Sequence, residues 1–269
     1  MKNIYFLFAV HNHQPVGNFG EVFAKAYRQG YLPFLEILNR HPQVKFSLHT
    51  SGILWNWLKE NQPEYLALVK SMVNRGQVEL IGGGFYEPIL PVIPETDQSG
   101  QLDLMRDFIR TEFNTDFRGV WLTERIWEPQ VVRILANNKI EYTFLDDAHF
   151  RAAGVPEKDI IDYYITEDQN CHVKVFPINQ ELRYMVPFSP NPDVVINYFR
   201  KIAETSDTDR TYVLFDDGEK FGIWPDTSKH VYTDGWLENF MCRLEENSNW
   251  LKTVLFSEHA KTYPPKGKV

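Results

Sequence analysis

Short runs of apolar, β-branched and aromatic residues recur along this chain, each followed by a stretch with helical periodicity. That alternation restricts the possible folds more than any other feature. Strands are expected at Ile4–Val10, Val44–His49, Val78–Ile81, Gly119–Thr123, Tyr142–Leu145, Tyr212–Phe215 and Thr253–Phe256. These runs are apolar almost throughout instead of alternating, which is the pattern of parallel strands covered on both faces. Between them, Val22, Phe23, Ala26, Tyr27, Phe34, Leu35 and Leu38 fall at helical spacing. Further helices are expected over Pro63–Asn74, Leu102–Phe113, Gln130–Asn138, Asp193–Glu204 and Gly235–Glu245. Repeated strand-then-helix order implies right-handed crossovers and a parallel sheet, open or closed. Closure is favoured because the chemically loaded residues sit just after strand ends, where barrel enzymes place their sites. The segment Cys171–Phe188 reads as an inserted hairpin between the fifth and sixth barrel strands.

At 269 residues the chain has the size of one such barrel, about 250 residues. With no linker or internal repeat, residues 1–269 are expected to form a single domain. The net charge of -8, without a clustered basic face, excludes a nucleic-acid partner. Cys171 and Cys242 are far apart and lie in no metal-binding or redox pattern, so neither a disulfide framework nor a zinc site is expected. That usage fits a reducing, cytoplasmic setting. Lys2 and the apolar run after it resemble a signal peptide, but the run passes directly into His11-Asn12-His13-Gln14-Pro15 without a cleavage site. A first buried strand is the better reading. No stretch approaches the roughly 20 apolar residues of a membrane span. The 14% aromatic content serves either a core of large side chains or a cleft whose flat faces pack on sugar rings.

Four polar groups follow strands: His11-Asn12-His13-Gln14-Pro15; Glu79 with Gly82-Gly83-Gly84-Phe85-Tyr86-Glu87-Pro88; Trp121-Leu122-Thr123-Glu124-Arg125-Ile126-Trp127-Glu128-Pro129; and Asp216-Asp217-Gly218-Glu219-Lys220-Phe221-Gly222. In a closed barrel they converge on one mouth. Two carboxylates facing each other beside tryptophans are what glycoside chemistry requires: one ionised, the other holding its proton. Each group has another reading. The two histidines of the HxH could hold a metal if an Asp or a third His from elsewhere completed the set. Glu124 beside Arg125 could be a structural ion pair, and Asp216–Glu219 a solvated acidic turn or a divalent-ion site. The three glycines lack a nucleotide-binding pattern and instead permit a tight turn or close approach to a ligand. Asp146-Asp147 with His149 either join the site or cap a loop.

These motifs resemble glycoside hydrolase family 57, particularly its 4-α-glucanotransferase and α-amylase members. HNHQPVGNFG, GFYEP, GVWLTERIWEP and DDGEKFGIWP stand in the family's order, with LDDAHF and LRYMVPF between them. The resemblance implies a distorted (β/α)7 TIM-like barrel and a retaining mechanism acting on an α-glucan or maltooligosaccharide without a cofactor or metal. It implies Glu124 as nucleophile and Asp217 as acid/base, with His11, His13, Glu79, Trp121 and Glu219 around the glucose at the cleavage point. Trp127 and Trp224 are added here as sugar-stacking candidates. Family members usually carry a helical region and β-rich domains after the barrel. The chain is therefore expected to be a barrel fragment, a natural short form or one part of a split enzyme, completed in the first and last cases by C-terminal domains or a partner chain. The rival readings are a non-catalytic or partner-dependent glucan-binding barrel and a metal-dependent hydrolase.

Overall fold

Nine strands organise the computed structural model, which describes all 269 residues. They are β1 (Ile4–Asn12), β2 (Phe46–Thr50), β3 (Val78–Gly83), β4 (Gly119–Trp121), β5 (Tyr142–Asp146), β6 (Tyr164–Asp168), β7 (Cys171–Ile178), β8 (Arg210–Asp217) and β9 (Leu251–Thr253). The order β2-β3-β4-β5-β7-β8-β1, closed by pairing of β1 with β2, makes a barrel of seven parallel staves. The expected (β/α)7 architecture is therefore present.

Two strand assignments change. The segment from Cys171 does form a hairpin, with β6 antiparallel to β7, but β7 is itself a stave between β5 and β8. Its polar start and Pro177 hide it from a search for continuous apolar runs. The expected last strand is β9, which pairs only with Ile4–Phe6 of β1, while β2 pairs with Ala9–Asn12. A short strand thus wedges into the base of the β1–β2 seam. Two seams away, β7 and β8 pair through Ile178 and Val213 alone. These two seams are the distortion of the barrel.

The helices follow the expected periodicity, and Pro63–Asn74 matches in full. The first differs: α-helix over Gly20–Ala26, a wider π turn over Tyr27–Tyr31, then α-helix over Leu32–Arg40. Such turns occur frequently at functional sites because they re-aim a side chain. Here the turn delivers Tyr31 to the barrel mouth, where its hydroxyl meets Glu219.

Alternate strand residues divide the core in two. On β1, Ile4, Phe6, Phe8 and Val10 face the helices, whereas Tyr5, Leu7 and Ala9 fill the barrel. That interior also holds Tyr142, Phe144, Phe176, Phe215 and Phe256. Much of the aromatic content is therefore barrel filling. Gly82 and Gly83 serve it too: a Cβ on them would strike the rings of Phe117 and His49, so their close approach is to side chains of this chain. No helix is long and apolar enough to cross a membrane.

Phe144 packs against Tyr142, Phe176, Phe215 and Phe256 and is fully buried. Phe144→Ala should lower unfolding free energy by about 3–5 kcal/mol, measured by denaturant titration, since the ring stack leaves a cavity that rigid neighbours cannot fill.

Candidate active site

Strand parity decides which side chains reach the mouth. The inward series Tyr5, Leu7, Ala9 continues to His11, and the inward series Val213, Phe215 continues to Asp217. Register sets His11 beside both Asp217 on β8 and His49 on β2. Asp216 takes the outward parity of Leu214 and is 3% exposed. Period-two alternation separates the two adjacent aspartates.

A cleft of about 370 Å³ opens there. Among its lining residues are His11, His13, Trp121, Glu124, Asp217, Glu219 and Trp224, all expected from the sequence. Gln14, Glu87 and Arg125 join them. Two expected residues lie elsewhere. Glu79 pairs in register with Ser47, one inward layer below His49, about 6.6 Å deeper along the strand. There it accepts hydrogen bonds from the Tyr142 hydroxyl and, at 3.1 Å, from the Ser257 amide. Trp127 borders a separate apolar pocket with Leu145, Phe150 and Val175. A larger hollow of 590 Å³ beside Tyr198 and Tyr212 contains none of the expected site residues.

The cleft floor is aromatic and its walls are charged. His11 stacks on Trp121 at 4.7 Å between ring centres, and the Arg125 guanidinium lies 5.3 Å from the Trp121 ring. Burial, with His49, His13 and Arg125 nearby, holds His11 well below the usual imidazole range. His49 falls to about 3, chiefly through burial. His13 is raised by its hydrogen bond to Glu87. Burial raises Glu87 despite that bond. Burial also raises Asp217, reinforced by Asp216 and opposed by Lys220, Arg125 and Arg183. Glu124 and Arg125 both have φ of 55°, in the left-handed region. Two consecutive residues of this kind mark a loop held by its surroundings. At the lip, Trp224 and Phe188 lie 6.0 Å apart, with Lys220 within 5.6 Å of both rings.

One donor group in the cleft could hold a divalent ion: His11, His13 and Glu87, with ligand atoms within 4.8 Å of one another. The acidic run Asp216–Glu219 contributes nothing to it. A second group, His41, Glu238 and Cys242, lies outside the cleft, and both ring nitrogens of His41 are engaged by Glu238 and Glu245. Cys171 and Cys242 are free thiols.

Sequence reasoning missed Tyr31, Glu87 and Arg183. Glu87 was within reach, as it belongs to a quoted motif after β3. Tyr31 sits inside a helical pattern and carries no local signal, whereas Arg183 belongs to the quoted LRYMVPF, in a segment that reads as an inserted hairpin. Asp146, left open above, faces the mouth and pairs with Arg125 at 3.0 Å. Its neighbour Asp147 accepts from Arg151 at 2.8 Å and the Gln180 amide at 3.2 Å, so it ties down the loops.

A closed parallel barrel with paired acidic residues and tryptophans at its C-terminal mouth has the form of a glycoside-processing protein. The model of glycosyl hydrolase family 57 matches residues 7–269, and the chain belongs to that family. It is 44% identical to alpha-amylase 1 of Dictyoglomus thermophilum, across all of this chain and 39% of that protein. It is 42% identical to the 4-alpha-glucanotransferase of Thermococcus litoralis, across all of this chain and 40% of that protein. The crystal structure of the latter superposes with a TM-score of 0.96, covering 100% of this chain and 42% of that one. This chain thus spans about two fifths of the length of these relatives.

Glu219 is half-buried, and accepts from Tyr31 and, at 2.8 Å, from the His13 amide. Burial nevertheless drives its carboxyl up to about 7, from an ordinary 4.5. A carboxyl raised in the folded state stabilises the fold while protonated, and that contribution is lost as pH rises through about 7. Glu219→Gln cannot ionise. Its melting temperature relative to the parent should therefore climb between pH 4.5 and 7 and then level off. Calorimetry across that range checks this; a pH-independent difference would contradict a raised carboxyl.

Proposed function

We propose that this chain acts on α-1,4-glucosidic bonds of α-glucans by retaining double displacement, as a 4-α-glucanotransferase or α-amylase. One observation carries the reading: Glu124 and Asp217 share a tryptophan-lined cleft in a family-57 barrel. Asp217 protonates the departing glycosidic oxygen while Glu124 attacks the anomeric carbon, and a covalent glycosyl-enzyme forms. Asp217 then takes a proton from the incoming nucleophile. Water gives hydrolysis; a sugar 4-hydroxyl gives transfer. A raised Asp217 suits the acid role, since the group must hold its proton until the bond breaks. His11, His13, Trp121 and Glu219 surround the glucose at the cleavage point. Trp224 stacks on a neighbouring unit at the lip. Glu79 acts from the layer below by bracing Tyr142, and Trp127 by packing the loop that carries Glu124.

Residues 1–269 constitute the catalytic barrel, and a further segment or partner chain walls the acceptor side. A cytoplasmic setting suits the two free thiols.

Incubation with maltooligosaccharides, with products resolved by chromatography, tests the activity and separates transfer from hydrolysis. Glu124→Gln should abolish turnover and Asp217→Asn nearly so, each losing about three powers of ten or more. Near-normal rates in either variant would refute the assignment. Retention predicts that proton NMR detects the α-anomer as first product. Binding without any product would favour a glucan-binding barrel. Turnover should also survive exhaustive chelation; its loss would reassign His11, His13 and Glu87 to a metal.

A further inference from the structure

Behind the two acidic residues of the cleft runs an unbroken chain of ion pairs. Arg125, next to Glu124, donates through Nε to Asp146 Oδ2 at 3.0 Å. Arg183 donates through Nη1 to the other oxygen of Asp146 at 3.2 Å. Its Nη2 reaches Asp216 Oδ1 at 3.1 Å, and its Nε lies 3.0 Å from Asp216 Oδ2. Lys220 closes on Asp216 and also donates to the Arg183 carbonyl at 3.2 Å. Asp216 Oδ1 in turn accepts the Asp217 amide at 3.0 Å. The members come from the loop after β4, the end of β5, the helix Gln180–Met185 after β7, and the end of β8. The side chains of Asp216 and Lys220 are 4% and 7% exposed, so these charges are poorly screened.

We propose that Asp146 and Arg183 are positioning residues that lock the Glu124 loop to the Asp217 strand end, and so set the spacing and charge environment of the pair. This rests on the roles given above to Glu124 and Asp217. The backbone cannot do it alone. Glu124 and Arg125 sit in a left-handed turn beyond the three-residue β4. The weakest strand pairing in the ring, β7 with β8, is made at Ile178 and Val213 alone and leaves the Asp217 end of β8 unpaired on that side. Arg183 bridges that weak seam, because its helix follows β7 and its guanidinium grips β8. A planar guanidinium can hold two carboxylates at once, which an ammonium cannot do with the same geometry. Five members carrying three positive and two negative charges leave a net positive charge behind the two acids.

The charged and titratable groups facing Asp217 are Asp216, Glu219 and Lys220 from its own segment, with His11, His13, Glu87, Glu124, Arg125 and Arg183 from the others. Among these, Arg183 and Lys220 compensate Asp216. Removing the Arg183 charge strips one attraction from ionised Asp217 and leaves Asp216 less neutralised. Both changes raise the Asp217 titration midpoint.

The test follows Asp217 directly, by carboxyl carbon NMR titration of the full chain in the parent, Arg183→Met and Arg183→Lys. Arg183→Met should shift the midpoint upward; Arg183→Lys should keep it near the parent value. On maltooligosaccharides, both should lose about ten- to a hundredfold in kcat with little change in KM, because spacing is lost in both. The basic limb of the rate profile should move up only in Arg183→Met. An unmoved midpoint in Arg183→Met, or kcat within about twofold of the parent in both variants, overturns the proposal. Asp146→Asn, which keeps the fold of the Arg183 helix intact, should reproduce the kcat loss if Arg183→Met does not fold; unchanged kcat there also overturns it. The titration needs no turnover, so failure of the catalytic assignment shows separately, as activity retained in Glu124→Gln or Asp217→Asn.

Discussion

Closing seven parallel strands leaves an interior that must be filled by large side chains in register, and the rest of the molecule depends on that packing. Tyr142, Phe144, Phe176, Phe215 and Phe256 fill it, with successive rings in edge or tilted contact. The aromatic plug does more than exclude water. It fixes the depth of each inward layer, so that Ala9 and Phe215 end the apolar fill and His11 and Asp217 begin the polar mouth. A stave slipped by one residue would turn Asp216 inward and bury Asp217 among helices.

Above that plug the protein accumulates ionisable groups that water would otherwise solvate. His11, His49, Glu87, Glu219 and Asp217 are all shifted from their ordinary ranges, with burial a leading cause. Such groups weaken the fold and sharpen its chemistry, because a poorly solvated carboxyl interacts strongly with whatever enters the cleft. The left-handed turns at Glu87, Glu124 and Arg125 add backbone cost at the same place. The large outer core, in which 59 buried residues join staves to helices, offsets these penalties. The arginine-bridged ion pairs then brace the β7–β8 seam, which backbone hydrogen bonds leave weak.

Much of this was legible beforehand. Six of the seven staves were placed, because a strand covered on both faces is apolar along most of its length and stands out as an apolar run. The seventh was misplaced. β7 begins with Cys171, His172 and Lys174, which its hairpin partner leaves partly exposed, so it lacks the expected pattern. Thr253–Phe256 looked like a stave because Val254, Leu255 and Phe256 are apolar, yet β9 only wedges against the base of β1. Seven of the nine expected site residues line the cleft, since strand ends mark the mouth. Glu79 failed that rule because it lies within β3 and not after it. Trp127 failed because the turn at Glu124 and Arg125 carries the following chain away from the cleft.

By itself, the amino-acid sequence determined the parallel barrel class, the family and the segments that meet at the mouth. Those properties follow from local periodicity and from motifs of contiguous residues. Only the tertiary structure decided which inward layer each polar residue occupies, that Tyr31 reaches Glu219, and that Asp146 and Arg183 join the two acidic strand ends. Those relations depend on stave register, on a π turn and on the gap between β7 and β8. They arise only when segments distant in sequence are packed against one another.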